Sequence, residues 1–80
     1  MSITVYSAKS CSQCFTTKKA LDKAGLSYEV VDVDKDEATR NMLTERYGYS
    51  ALPVVVVDDP NAGEWHWSGF RYDAIRSLAS

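Results

Sequence analysis

A chain of 80 residues, 45% of them hydrophobic and 25% charged, has the length and composition of one globular domain and not two. Its formal net charge of -2 argues against a nucleic-acid binder, which carries a basic stripe, and no apolar run reaches the ~20 residues of a membrane helix. Met1 to Ser7 offers neither the basic nor the apolar stretch of a secretory signal, so the expected location is the cytoplasm, where thiols are kept reduced.

Ile3 to Ser7 alternates apolar and polar residues, with Ile3 and Val5 on one face, and predicts a strand. After a short polar loop, Ser12 to Ala24 is patterned as a helix whose inner face carries Cys14, Thr17, Leu21 and Ala24, and Gly25 suits the position just past its end. Tyr28 to Val33, rich in β-branched residues, predicts a second strand. Asp34 or Asp36 can cap a second helix, Asp36 to Tyr47, with Ala38, Met42, Leu43 and Tyr47 as its apolar stripe and Gly48 as its stop. Pro53 opens Val54-Val55-Val56-Val57, which reads as a central strand buried on both faces. Asp58 to Gly63 reads as a hairpin loop, Glu64 to Trp67 as a short strand, and Tyr72, Ile75, Leu78 and Ala79 mark a last helix. The order βαβαββα predicts an α/β fold. Its single mixed sheet has four strands, a parallel pair from the βαβ unit and an antiparallel pair from the hairpin, and three helices flank it.

Two cysteines three positions apart, Cys11 and Cys14, fall where the first strand gives way to the first helix, a common place for sites in open sheets. A disulfide exchanger needs a thiolate, and a helix N-terminus supplies unpaired N–H groups and the positive end of a dipole to favour one. Cys11 is expected at that terminus as the attacking thiol. Cys14, on the apolar face, is expected to be more buried and to resolve the mixed disulfide, leaving a Cys11–Cys14 disulfide as the redox centre with no other cofactor. Lys9 stands two positions ahead and is expected to favour the Cys11 thiolate. Three other readings stand beside this one. A structural disulfide closing a four-residue loop would contribute only about 2 kcal/mol. A zinc site needs four ligands, and His66 is the one further Cys or His, so a carboxylate would have to complete it. Two unreactive thiols are the third.

Pro53 cannot donate a ladder hydrogen bond, so it is either an ordinary strand-opening residue or a cis-proline beside the cysteines that leaves the Leu52 backbone free to pair with an extended substrate. Trp65 and Trp67 share a face of their strand. With Phe70 they form either a core cluster followed by a turn at Gly69 or an exposed aromatic wall beside the site. His66 is expected at the surface of the strand, and Arg71 either pairs with an acid of the second helix, Glu37 or Glu45, or binds a carboxylate.

Ile3-Thr4-Val5-Tyr6, Cys11-Ser12-Gln13-Cys14, Leu52-Pro53-Val54-Val55 and above all Trp67-Ser68-Gly69-Phe70-Arg71 together resemble the NrdH-type redoxins, small glutaredoxin-like proteins of the thioredoxin superfamily, over nearly the whole chain. The resemblance implies a thioredoxin-like fold, Cys11 as nucleophile, Cys14 as resolving thiol and Pro53 as the cis-proline. It also implies reduction by thioredoxin reductase and electron delivery to a class Ib ribonucleotide reductase. Partner contact is expected from Ser12, Gln13, Leu52, Pro53, Trp67, Ser68, Gly69 and Phe70. The chain departs from the family pattern at Ser12, at Tyr72 and in the loop Asp58 to Glu64. Glutathione is a charged tripeptide that needs cationic groups around the cysteines, and Lys9 is the only one that can be placed there from the sequence. A glutathione-dependent glutaredoxin is therefore the second expectation and a metal-binding module the third. A monomer with no metal, nucleic-acid or membrane partner is expected.

Overall fold

A computed structural model describes residues 2–61 and 63–79. The elements follow as β1 (Ser2–Ser7), α1 (Ser12–Lys23), β2 (Glu29–Asp32), α2 (Glu37–Tyr47), β3 (Val54–Asp59), β4 (Gly63–Ser68) and α3 (Tyr72–Ala79). The sheet runs β2-β1-β3-β4. β1 and β2 are parallel, as a βαβ unit requires, and β1–β3 and β3–β4 are antiparallel. The expected βαβαββα order and mixed sheet are what the chain adopts.

Alternation within the central strands decides which helices cover which face. In β3, Val55 and Val57 point into a cluster with Ile3, Val5, Leu21 of α1, Trp67 and Ile75 of α3. Val54 points the other way, into a cluster with Val33 and Leu43 of α2, and Tyr6, Met42 and Val56 pack against it. Both faces of β1 and β3 are therefore covered, which explains the unbroken valine run. Each fully buried valine or leucine contributes about 1.5–3 kcal/mol of apolar burial, so these two strands dominate the stability.

Helix boundaries follow from caps. Cys11 is the extended N-cap of α1 and Asp36 that of α2, while Gly48 adopts the left-handed conformation that ends α2 (φ 74°). The Asp36 carboxylate accepts from the Thr39 hydroxyl at 2.7 Å and from the Thr39 N–H at 3.2 Å. These bonds, the hydroxyl's first, hold its carboxyl below the ordinary carboxylate range. A carboxyl lowered in the folded state stabilises the fold at neutral pH and loses that contribution as pH falls through its folded value. Asp36→Ala should thus melt below the parent at pH 7, with the gap closing below about pH 4. A gap that persists unchanged at pH 3 would mean that the carboxylate is not the cap.

Three expectations change. β2 is shorter than Tyr28 to Val33: its register with β1 runs from Glu29 to Asp32, and the Tyr28 hydroxyl donates to the Lys18 carbonyl and the Asp22 carboxylate. Ala38 is exposed, so Leu43 and the half-buried Met42 and Tyr47 carry the inner stripe of α2. The β3–β4 hairpin is tighter than expected: Asp58 pairs with Glu64 and Asp59 with Gly63, so the two strands continue into what was expected to be loop. Its Asn61 N–H is held by the Asp59 carboxylate at 2.9 Å.

Candidate functional site

The end of β1 and the start of α1 place the two cysteines. A polar loop leads from Ser7 to Cys11, closed by a hydrogen bond from the Cys11 N–H to the Ala8 carbonyl. Cys11 and Cys14 are joined in a disulfide with Cα atoms 5.2 Å apart. Their surroundings differ. Cys11 is half-buried at the mouth of a cleft, and Cys14 is only 1% exposed. The backbone N–H of Cys14 donates to the sulfur of Cys11 at 3.1 Å. A donor aimed at that sulfur, together with the helix N-terminus, favours negative charge there. The pair can therefore work asymmetrically, one sulfur reachable and charge-stabilised, the other sheltered one helical turn behind it.

A second loop meets the first from across the sheet. The Leu52–Pro53 peptide is cis, and Pro53 is buried at the head of β3. The Pro53 carbonyl accepts from the Gly69 N–H at 2.8 Å, and the Ser68 hydroxyl donates to the Ala51 carbonyl at 2.8 Å. The turn after β4 is thus fastened to the loop before β3. The turn is also fastened to the cysteine loop: the Gln13 side-chain oxygen accepts from the Phe70 N–H at 3.2 Å. The structure in this way brings Gln13, Leu52, Pro53, Ser68, Gly69 and Phe70 together around the disulfide, with Ser12 exposed on the first turn of α1.

Gly69 has a specific reason to be glycine. Its φ is +82°, and a Cβ there would stand 3.3 Å from the Gln13 oxygen. Gly25 has a similar φ of +74° but faces open space. Gly69→Ala and Gly25→Ala should each cost about 1–2 kcal/mol in denaturant titrations, the left-handed penalty of an L-residue. Only Gly69→Ala should also change the rate of disulfide exchange, because only there does Gln13 have to move. Equal rates in both variants would detach Gln13 from the site.

Two sequence expectations need correction. Trp67 is no exposed wall: it is 4% exposed and packs in the main core beside Val55, with Trp65 tilted against it at 5.4 Å between ring centroids. Its strand position opposite Val55 dictates this, because every second residue of β4 must face the same core. Phe70 is an exposed aromatic on the turn fastened to Gln13, with Tyr72 next to it, and Phe15, which follows Cys14 on α1, is exposed as well. Arg71 pairs with neither Glu37 nor Glu45. It forms a two-pronged contact with Asp73 in the first turn of α3, at 2.8 and 3.1 Å, which raises its own basicity and holds the Asp73 carboxyl down. Lys9 contributes a backbone N–H, which donates to the Asp34 carboxylate at 2.9 Å. His66 lies on the exposed face of β4, as expected, with its Nδ1 2.9 Å from the Tyr49 hydroxyl.

Sequence reasoning missed Arg40. It stands on α2, more than 25 positions after the cysteines, and lines an open cleft of about 520 Å³ together with Cys11, Asp34, Asn41, Thr44 and Leu52. A cation on a distant helix has no local signal; only the packing of α2 under the β1–α1 loop brings it there. Its guanidinium lies 3.6 Å from the Asp34 carboxylate.

Comparison with known proteins agrees with this geometry. The glutaredoxin family profile matches residues 3–60. The glutaredoxin-like protein NrdH of Salmonella typhimurium is 41% identical over 98% of this chain and 89% of its own. N-acetyl-S-hydroxy-L-cysteine reductase of Bacillus subtilis is 34% identical over 76% of this chain and 66% of its own. Among solved structures, the NrdH-redoxin of Escherichia coli, described as having a thioredoxin-like activity profile, superposes with a TM-score of 0.85 at 37% identity, covering 98% of this chain and 95% of that one.

Proposed function

The chain belongs to the glutaredoxin family, within its NrdH-type redoxins, and from that premise we propose that it carries electrons from thioredoxin reductase to a class Ib ribonucleotide reductase in the cytoplasm. The observation that carries the reading is the asymmetric pair: a reachable Cys11 sulfur at a helix N-terminus over a sheltered Cys14. In the reduced protein, the Cys11 thiolate attacks one sulfur of the substrate disulfide. That S–S bond breaks, one substrate sulfur leaves as thiolate, and a mixed disulfide remains. Cys14, as thiolate, then attacks the Cys11 sulfur and releases the second substrate sulfur. The two electrons have passed to the substrate, and the Cys11–Cys14 disulfide remains for the reductase to reduce.

The surroundings support a protein partner over a small one. Phe70 and Tyr72 present apolar surface next to the site, and the Leu52–Pro53 and Ser68–Phe70 segments are tied into one rigid rim by the Gly69–Pro53 and Phe70–Gln13 hydrogen bonds. The relative whose activity profile is described as thioredoxin-like supports the same choice of reductase. The reading is tested by supplying the reduced protein as sole electron donor to a class Ib ribonucleotide reductase. Deoxyribonucleotide should form in proportion to the protein oxidised. Absence of product while a thioredoxin supports the same enzyme would reject this acceptor.

A further inference from the structure

The cleft beside Cys11 contains a cation, Arg40, in the place where a carboxylate-bearing thiol compound would need one. It is already engaged. The Asp34 carboxylate lies 3.6 Å from the guanidinium, lines the same cleft, and is itself held on its other oxygen by the Lys9 N–H at 2.9 Å. The Asp34 N–H is in turn fixed by the Asp32 carboxylate at 2.9 Å, so the β2–α2 loop presents this acid in one place. The acid is thereby tied to the cysteine loop on one side and to α2 on the other.

We propose that Asp34 is a specificity-determining residue: it occupies Arg40 as a built-in carboxylate and so disfavours anionic low-molecular-weight disulfides at Cys11. The inference rests on the reading above, in which proteins and not glutathione are the partners, and supplies a physical reason for that choice. An incoming glutathione carboxylate has to displace Asp34 from the guanidinium and then remain beside the displaced negative charge. A protein disulfide or a neutral one meets no such competition. Both Asp34 and Arg40 are partly exposed, so the pair is a modest competitor, worth a several-fold bias and not an absolute block.

The test uses single-turnover oxidation of the pre-reduced full chain by glutathione disulfide and, separately, by neutral 2-hydroxyethyl disulfide. In each reaction the dithiol gives up two electrons, the oxidant's S–S bond breaks, and two small thiols leave. Asp34→Asn should raise the rate with glutathione disulfide about fivefold relative to the rate with the neutral oxidant, which is about 1 kcal/mol of relieved competition. The ratio cancels any change in Cys11 reactivity caused by loss of a nearby charge. In an Arg40→Gln background the same Asp34→Asn change should leave the ratio nearly unmoved, because the cation it competes for is gone. An unchanged ratio in Asp34→Asn alone would overturn the proposal. An equal increase with and without Arg40 would overturn it as well, since Asp34 would then act only as a distant charge. Failure of the parent reading is separate: it would show as fast use of glutathione by the unmodified chain, whatever the variants do.

Discussion

Cys14→Ser is expected to yield a protein that attacks disulfides once and remains joined to them. With Cys11 reachable and Cys14 1% exposed, the first covalent step needs only Cys11, and the second needs only Cys14. Serine in place of Cys14 keeps the shape of the site and the N–H that supports the Cys11 sulfur, since that donor is backbone. The variant should therefore form mixed disulfides at close to the parent rate and then stop, with dithiol turnover reduced to background. Cys11→Ser should form none, because the remaining sulfur lies under the first turn of α1. Non-reducing mass spectrometry after mixing with a disulfide-containing protein reads both outcomes. Equal trapping by the two variants, or trapping by Cys11→Ser alone, would reverse the assignment of roles.

The second large effect is on stability. Trp67 faces Val55 and joins the cluster formed by Val5, Leu21, Val57 and Ile75. Trp67→Ala should cost about 3–5 kcal/mol, the usual toll for emptying a large aromatic site. For a domain of 80 residues, whose total stability falls toward the low end of 5–15 kcal/mol, that approaches unfolding. Its midpoint should fall by roughly 15 °C or more. The buried indole N–H has no acceptor among the described residues, so Trp67→Phe sacrifices no hydrogen bond and should cost only about 1–2 kcal/mol. Phe70→Ala, at an exposed position, should leave the midpoint almost unchanged and raise the KM for thioredoxin reductase. A normal melt for Trp67→Ala would return that side chain to the surface and contradict the core described above.

What the sequence could disclose follows from which signals are local. The valine run 54–57, the alternation of Ile3 and Val5, and the helical spacing of Cys14, Thr17 and Leu21 each encode burial within a few residues, and the sheet and α1 follow from them. The cysteines were legible because their spacing and their place at a strand–helix junction are also local. The cis geometry at Pro53 was legible only through family resemblance, since a strand-opening proline has no local mark of its isomer. The orientation of Trp67 depended on pairing register: the face it shares with Trp65 was evident, but only the partner strand shows that this face points inward. Arg71 was misassigned because its partner, Asp73, is two positions away and not on the second helix. The Asp34–Arg40 pair was missed because it forms between a loop and a helix whose mutual placement depends on the packing of Leu43 and Val33.

The central claim is that this dithiol pair is charged by a protein reductase and not by glutathione. The most direct measurement is NADPH oxidation in the presence of a disulfide acceptor, with this protein as the limiting component, comparing thioredoxin reductase against millimolar glutathione with glutathione reductase. The account predicts rapid, protein-dependent oxidation with thioredoxin reductase and slow oxidation with glutathione. Glutathione-supported turnover as fast as that with thioredoxin reductase would contradict it, and the protein would then be a glutathione-dependent glutaredoxin.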